Sequence, residues 1–375
     1  MTEEQNSPAA QVADVWSRKL DTSDEFSPDV YWLAVPEVYR CYVRAATGGR
    51  REDSWVNDCV LHFLAGRTPA ERMLSIGCGA GALERHLALL SAFLQCDAWD
   101  IAPTAIETAR RLAREEGLHN IHYEVCDANS PGFLEGPEAR YDAVWFNSSL
   151  HHIEALELVC EGVARSLKPD GWLFVHEYVG PSVFALPPRQ KQVIRAAFDL
   201  IPERFRRNGP GSLAEAPAIP DPVEVAAVDP SEAVRSADII KVVSHYFDVV
   251  EHNPAGGTVL QFLLHGIAGN FRPEDPESMK VLDLLIRIER TLIEVGDIQS
   301  DFVLLAARRK PSPAPSLLAP PPVQAEPQPP ADDAREELER LRTELRKIES
   351  SRAWRAVLAF RAARSRLGSW LGRRS

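Results

Sequence analysis

Residues 72–178 alternate between short apolar runs and amphipathic helical patterns, and this alternation is the feature that most limits the folds open to the chain. Five apolar runs predict buried strands: Arg72–Gly77, Leu94–Asp100, Ile121–Asp127, Tyr141–Asn147 and Trp172–Tyr178. Helices are predicted between or after them at Ala82–Leu90, Thr104–Glu116 and Ala155–Leu167, and a later one at Ser278–Val295. With Phe247–Glu251 and Asp301–Ala307 as two further strands, the pattern predicts an α/β fold with a doubly wound, mostly parallel sheet of seven strands.

The chain outside this sheet has other patterns, and we divide the sequence accordingly. The predicted parts are an N-terminal helical cap (1–70), the sheet domain (71–310) with helical insertions at 181–245 and 255–298, a Pro-rich linker (311–331) and a helical tail (332–375). The linker is the sharpest of these boundaries, because nine of the twenty residues from 311 to 330 are proline. Proline disfavours both helix and sheet, so an extended spacer is expected there.

The tail combines an apolar seam with a basic end. Leu338, Leu341, Leu345 and Ile348 recur at spacings of three and four, which predicts a short coiled coil and an oligomer contact through residues 335–350. Residues 351–375 contain seven arginines and no acid, together with aromatic and aliphatic side chains. This composition predicts peripheral binding to an anionic membrane or contact with a glycosyltransferase. The alternative is a basic end that frays in solution.

Composition narrows the class of protein and its location. The formal net charge of -12 argues against a general nucleic-acid binder, because phosphate affinity depends on Lys and Arg. Six scattered cysteines without a close pair predict reduced thiols in the cytoplasm. No apolar run approaches the roughly 18 residues of a spanning helix, so any membrane contact is expected to be peripheral, at the inner face.

A glycine turn (Gly77–Gly81) follows the first strand and begins the next helix. Glycines allow a tight bend and close approach of a ligand to backbone N–H groups. Asp100 ends the second strand, where an acid can accept hydrogen bonds from both ribose hydroxyls. Because Ala82 interrupts the G-x-G-x-x-G spacing and no Gly-Lys-Ser/Thr follows, the pattern predicts a nucleoside ligand without a pyrophosphate. The alternative is an ordinary strand-to-helix turn.

These motifs, over about residues 70–180, resemble those of the class I S-adenosylmethionine-dependent methyltransferases. The matching segments, in order, are Leu74–Gly81, Asp100–Ile101, Cys126–Ala128, Tyr141–His152 and Leu167–Gly171. The resemblance implies a Rossmann-like fold and S-adenosyl-L-methionine as the cofactor. It also implies the cofactor-binding residues, which are Gly77, Cys78, Gly79, Gly81, Asp100, Ile101, Asp127, Ala128 and Asn147.

Methyl transfer to a hydroxyl of high pKa needs a base, and histidine is the usual one near neutral pH. His151 and His152 directly follow the fourth strand, and Glu177 lies near the end of the fifth. Alternation along a strand sends Glu177 to one face and its two neighbours to the other. We take His151, His152 and Glu177 as the candidate catalytic residues. The alternatives are that the histidines only pack against the cofactor and that Glu177 is a structural, helix-capping acid.

The other histidines and one arginine cluster are weaker candidates for a functional site. His245, His252 and His265 have no ligand-like spacing, so no metal site is predicted. Residues 204–207 contain three arginines, which either meet an anionic acceptor or form a solvated helix end.

A second resemblance concerns the acceptor. Ser351–Arg361 partly resembles a tail found in bacterial polysaccharide-assembly proteins, often beside glycosyltransferases, although Ala353 and Ala359 depart from its pattern. Glu177–Pro181 and Asp229–Ser236 are similar to methyltransferases from the same settings. This resemblance implies a hydroxyl of a sugar, glycan or related small molecule as the acceptor. The alternative acceptor is an amine, a carboxylate or a natural-product phenol. A third hypothesis is that the protein is a scaffold that binds the cofactor without turnover.

Overall fold

The computed structural model describes residues 12–13, 15–16, 30–135, 139–208 and 211–311. The chain divides into two compact units, of which the first ends at Leu318. The predicted coiled coil and basic tail lie outside the described residues, as does all of the predicted linker except Pro311. The domain boundaries and the oligomer contact therefore stay predictions.

One sheet of seven strands forms the centre of the described unit. Its strands are β1 (Ala70–Ile76), β2 (Phe93–Asp100), β3 (Ile121–Val125), β4 (Tyr141–Asn147), β5 (Leu167–Tyr178), β6 (Phe247–Gly256) and β7 (Phe302–Arg309). The order across the sheet is β3-β2-β1-β4-β5-β7-β6. The pairs among β1 to β5 are parallel, and β7 runs antiparallel to both β5 and β6. This confirms the predicted Rossmann-like, mostly parallel sheet.

Helices cover both faces of the sheet. They are α1 (Pro36–Ala46), α2 (Trp55–Asp58), α3 (Ala82–Leu89), α4 (Pro103–Glu115), α5 (Leu156–Ser166), α6 (Pro188–Asp199), α7 (Pro222–Val228), α8 (Ile239–Tyr246), α9 (Leu260–Leu264) and α10 (Pro276–Glu294). A π-helical turn, Cys59–Phe63, extends α2. Every helix in the described ranges is too short or too polar to span a bilayer.

The last strands differ from the prediction for a physical reason. β6 continues five residues beyond the predicted end at Glu251, because it is an edge strand bonded only to β7 and carries two register shifts. An edge strand tolerates polar residues and a proline, here Pro254, where a central strand does not. The apolar pattern therefore ends at Glu251, although the pairing of β6 with β7 continues to Gly256.

Alternate residues of the central strands enter two separate cores. Met73, Trp145 and Phe174 pack beneath α1, α3 and α6, whereas Val144 and Val175 pack beneath α5 and α8. Burying one such side chain contributes about 1.5–3 kcal/mol. The helices therefore hold the sheet from both sides, and its carboxyl edge stays open to the loops that follow β1, β2, β4 and β5.

Candidate functional site

A cavity of about 250 Å³ lies at the carboxyl edge of β1, β2 and β4. This is the place where the chain reverses its direction across the sheet, and ligands of open α/β folds bind there. The predicted residues that line the cavity are Gly77, Cys78, Gly79, Asp100, Ile101, Asp127, Ala128, Asn147 and His152. Gly81, predicted for the same set, instead caps α3 with a left-handed φ of 76°.

The glycine turn is held against two neighbouring segments. The backbone N–H groups of Gly77 and Cys78 donate to the carbonyl oxygen of Trp99 on β2, at 2.7 and 3.0 Å. Gly77 has a φ of +72°, and a Cβ at this position would lie 2.3 Å from Cβ of Ser149. Only glycine satisfies both the conformation and the close approach to the loop after β4.

Asp100 connects β2 to the turn. Its Oδ2 accepts the backbone N–H of Gly79 at 2.8 Å, and its Oδ1 accepts that of Ala102 at 2.9 Å. Burial raises the pKa of Asp100, and the backbone donors partly offset this. Each carboxylate oxygen can accept a second hydrogen bond, so the residue fits a ligand with two adjacent hydroxyls, such as a ribose.

Glu84, which was not among the predicted site residues, also lines the cavity. Its side chain is fully buried, and neither carboxylate oxygen has a hydrogen-bond partner among the described residues. Burial raises its pKa to about 7, although the nearby Ser75 hydroxyl favours the charged form. One feature of the sequence could have indicated Glu84. It is an acid on the apolar face of α3, between Leu83 and Leu87, which are both in the core.

Glu177 and His151 form a buried pair beside the cavity. Oε1 of Glu177 accepts the backbone N–H groups of Ser149 and Leu150 at 2.5 and 2.6 Å. Its Oε2 lies 2.6 Å from Nδ1 of His151. Because a carboxylate accepts, Nδ1 carries the proton, and Nε2 is the nitrogen that can take up another. The pair has the geometry of an oriented base.

His152 occupies a different position from His151. Its ring lines the cavity, lies 4.0 Å from the His151 ring and meets the edge of Trp16 at 4.8 Å. Its Nδ1 lies 3.2 Å from the Ser231 hydroxyl, which donates to Asp229 at 2.6 Å. The segment after α7 therefore contributes to the site, and no pattern in the sequence indicated this contact.

The same segment brings Glu232 to the histidines. Ligand atoms of His151, His152 and Glu232 lie within 4.8 Å of one another, and Oε1 of Glu232 is 3.7 Å from Nε2 of His151. Two imidazoles and a carboxylate are a donor set that transition metals accept. The sequence predicted no metal, and spacing could not show this group because one member is about eighty residues from the others.

His176, on the opposite face of β5, has a structural position. Its Nδ1 donates to Oδ1 of Asn147 at 2.9 Å, and its Nε2 accepts the Tyr42 hydroxyl at 2.7 Å. Its ring stacks on Trp55 at 4.2 Å. Burial lowers the pKa of His176 to about 4, so the ring is neutral at pH 7. It thereby orients Asn147, which lines the cavity, from the side of the N-terminal helices.

The three arginines of the 204–207 cluster make local contacts. Arg204 pairs with Glu277 at 2.5 Å, Arg206 donates to the carbonyl of Ile201 and Arg207 to that of Gly211. None of them lines the cavity within the described part of the chain. These contacts favour the solvated alternative over an anion site.

A family model described as "Methyltransferase domain" matches residues 74–175, the span from β1 to β5 that contains the glycine turn, Asp100 and the two histidines. Residues 74–175 therefore match a methyltransferase domain. The cofactor of this family is S-adenosylmethionine. The strand order, with an antiparallel β7 inserted between β5 and β6, agrees with this assignment.

Relatives resemble this methyltransferase domain over part of their length. A ubiquinone biosynthesis O-methyltransferase from Xanthomonas campestris pv. campestris (strain B100) is 31% identical over 144 residues, 38% of this chain and 58% of the relative. Aklanonic acid methyltransferase DauC from Streptomyces sp. (strain C5) is 45% identical over 75 residues, 20% of this chain and 33% of the relative. The chain spans about half the length of the curated relatives it matches.

A solved structure is also similar. It is a geranyl diphosphate C-methyltransferase from Streptomyces coelicolor A3(2) in complex with Mg²⁺, geranyl-S-thiolodiphosphate and S-adenosyl-L-homocysteine. It is 15% identical, and the match covers 81% of this chain and 99% of that chain with a TM-score of 0.46.

Proposed function

We propose that this chain transfers a methyl group from S-adenosylmethionine to a hydroxyl oxygen of a small molecule. The observation that carries the proposal is the buried Glu177–His151 pair, whose Nδ1 to Oε2 distance is 2.6 Å. It adjoins a cavity lined by the glycine turn and by Asp100. A hydroxyl acceptor must lose a proton during transfer, and an oriented imidazole is the group that receives it.

The residues of the chain have distinct parts in this proposal. Asp100 and the glycine turn hold the nucleoside, and His151 receives the hydroxyl proton of the acceptor at Nε2. Glu177 acts as a positioning residue, because it fixes the tautomer of His151 and stabilises the imidazolium that forms. S-adenosylmethionine, when bound, supplies a methyl group on a sulfonium sulfur, which keeps the electron pair of the broken bond.

The proposal also specifies the class of acceptor, which is a small organic molecule. One of the similar proteins carries O-methyltransferase in its name, and the other is named for aklanonic acid. These names support a small organic acceptor. Neither name refers to a sugar, so the glycan acceptor and the link to polysaccharide assembly stay predictions, as do the cytoplasmic location and the membrane contact of the tail.

The proposed chemistry is tested by incubating the full chain with methyl-labelled S-adenosylmethionine and matched sets of phenols, sugars, amines and carboxylic acids. We expect O-methyl products, identified by mass spectrometry and NMR, and a loss of turnover in His151→Asn. The exposed His122→Asn serves as the control, since this side chain is 72% exposed and lies on β3. Labelled products restricted to nitrogen or to carboxylate oxygen, or full turnover in His151→Asn, would contradict the proposal.

A further inference from the structure

We propose that the carboxylate of Glu84 binds the ammonium group at the amino-acid end of the cofactor. This inference rests on the proposed cofactor and is independent of the acceptor. Its chemical class is a cationic primary amine, which a carboxylate can bind by an ion pair with charge-assisted hydrogen bonds.

Glu84 is a buried acid in the wall of the cavity. The residue lies in the first turn of α3, directly after the glycine turn, and lines the cavity together with Ser75 of β1. Its side chain is fully buried, and both carboxylate oxygens lack a hydrogen-bond partner among the described residues. A buried polar group without a partner is costly, so such a group in a cavity wall indicates a ligand that supplies the missing donors.

The described residues that line the cavity include acids and no lysine or arginine. Three acids line it, namely Glu84, Asp100 and Asp127, and no Lys or Arg among the described residues does. Arg85, which follows Glu84 in α3, donates to Glu116 at 2.9 Å and to the carbonyl oxygen of Ala80 at 2.6 Å. A cavity with this charge favours a cationic ligand. The hydrogen bonds of Asp100 suit it to a ribose. Glu84 is the acid whose carboxylate oxygens have no partner at hydrogen-bond distance among the described residues, although the Ser75 hydroxyl is nearby.

Binding of a cation at Glu84 would be coupled to its ionisation. Burial raises the pKa of Glu84 to about 7; Asp100 on β2 raises it further, whereas Arg85 and the Ser75 hydroxyl lower it. Cys78 in the glycine turn, Cys96 on β2 and Tyr123 on β3 also face the carboxyl, and all three are neutral at pH 7 because their pKa values are raised. An ammonium ligand favours the carboxylate, so binding releases a proton. The affinity therefore rises with pH up to about pH 7, where free Glu84 ionises, and levels off above it.

Two ligands separate this role from general cofactor binding. S-adenosylhomocysteine has the ammonium group and no sulfonium, whereas 5′-methylthioadenosine lacks the whole amino-acid end. We expect isothermal titration of the full chain in buffers of different ionisation enthalpy to show proton release with the first ligand and not with the second. Equal proton release with both ligands, or none with either, would overturn the assignment.

The matched variants are Glu84→Gln and Glu107→Gln, the latter on the exposed face of α4. We expect Glu84→Gln to weaken S-adenosylhomocysteine about tenfold at pH 7.5, the scale of a lost charge-assisted hydrogen bond, and to leave 5′-methylthioadenosine unchanged. Glu107→Gln should change neither. Equal affinities of wild type and Glu84→Gln for S-adenosylhomocysteine would overturn the Glu84 role alone, whereas no binding by the wild type would overturn the cofactor proposal. The wild-type proton release decides the question even if Glu84→Gln does not fold.

Discussion

Glu177→Gln is expected to lower kcat by about 10²–10⁴-fold, the contribution of a general base, while the affinity for S-adenosylhomocysteine stays close to that of the wild type. The amide oxygen can still accept the backbone N–H groups of Ser149 and Leu150. The amide nitrogen replaces Oε2 beside Nδ1 of His151 and donates to it. The proton of the imidazole then moves to Nε2, and the ring cannot accept the proton of the acceptor.

Glu289→Gln is the matched control for this variant. Glu289 is also a buried acid that accepts backbone N–H groups, those of Val259 at 2.6 Å and Leu260 at 2.9 Å, and it does not line the cavity. We expect it to change thermal stability without changing kcat or the pH–rate profile. Equal kcat losses in the two variants would assign Glu177 a purely structural role, and an unchanged kcat in Glu177→Gln would remove the base hypothesis.

Gly77→Ala is expected to weaken S-adenosylhomocysteine by about 10–100-fold and to lower the melting temperature. The new Cβ would lie 2.3 Å from Cβ of Ser149, which cannot move freely. The Ser149 hydroxyl donates to the carbonyl of Ile76 at 2.7 Å, and its backbone N–H donates to Glu177. Overpacking of this kind costs about 1–3 kcal/mol, and each 1.4 kcal/mol is about tenfold in affinity.

Gly66→Ala isolates this clash from backbone strain. Gly66 has a φ of +71°, almost the same as Gly77, and a Cβ there would meet nothing within 4 Å. Both alanines carry the cost of a left-handed conformation, about 1–2 kcal/mol, and only Gly77→Ala also meets Ser149. Calorimetric titration of both variants measures the difference. Equal affinities would show that the close approach of the turn to Ser149 does not shape the cofactor site.

Local patterns predicted most of the sheet. The strands β1, β2 and β4 are central and apolar, so their sequence periodicity showed them within two residues, and β4 was predicted over its full length. The strand β5 begins five residues before its predicted start at Trp172, because Leu167, predicted as the last residue of a helix, instead pairs with Tyr141 of β4. The edge strand β6 was predicted too short because its second half is polar and held by pairing with β7. The tail and linker predictions stay untested, because those residues lie outside the described ranges.

Sequence patterns likewise predicted one part of the candidate site and not the other. The glycine turn and Asp100 are close in the fold because adjacent parallel strands end at one edge, and sequence order alone predicted their approach. The sequence named both histidines and Glu177 but could not choose between the histidines. That choice depends on the short helix Leu150–His152, which turns His151 toward Glu177 and His152 toward the cavity. Contacts made by the segment after α7 come from packing between distant parts of the chain, and no local motif encodes them.

We expect the cavity between the glycine turn and Asp100 to bind the cofactor, and a crystal structure of the full chain with S-adenosylhomocysteine tests this most directly. We predict that the ribose hydroxyls lie within about 3 Å of the Asp100 carboxylate and that the sulfur faces His152. A ligand ordered elsewhere in the molecule, with Asp100 outside hydrogen-bonding distance of any ribose oxygen, would contradict the account.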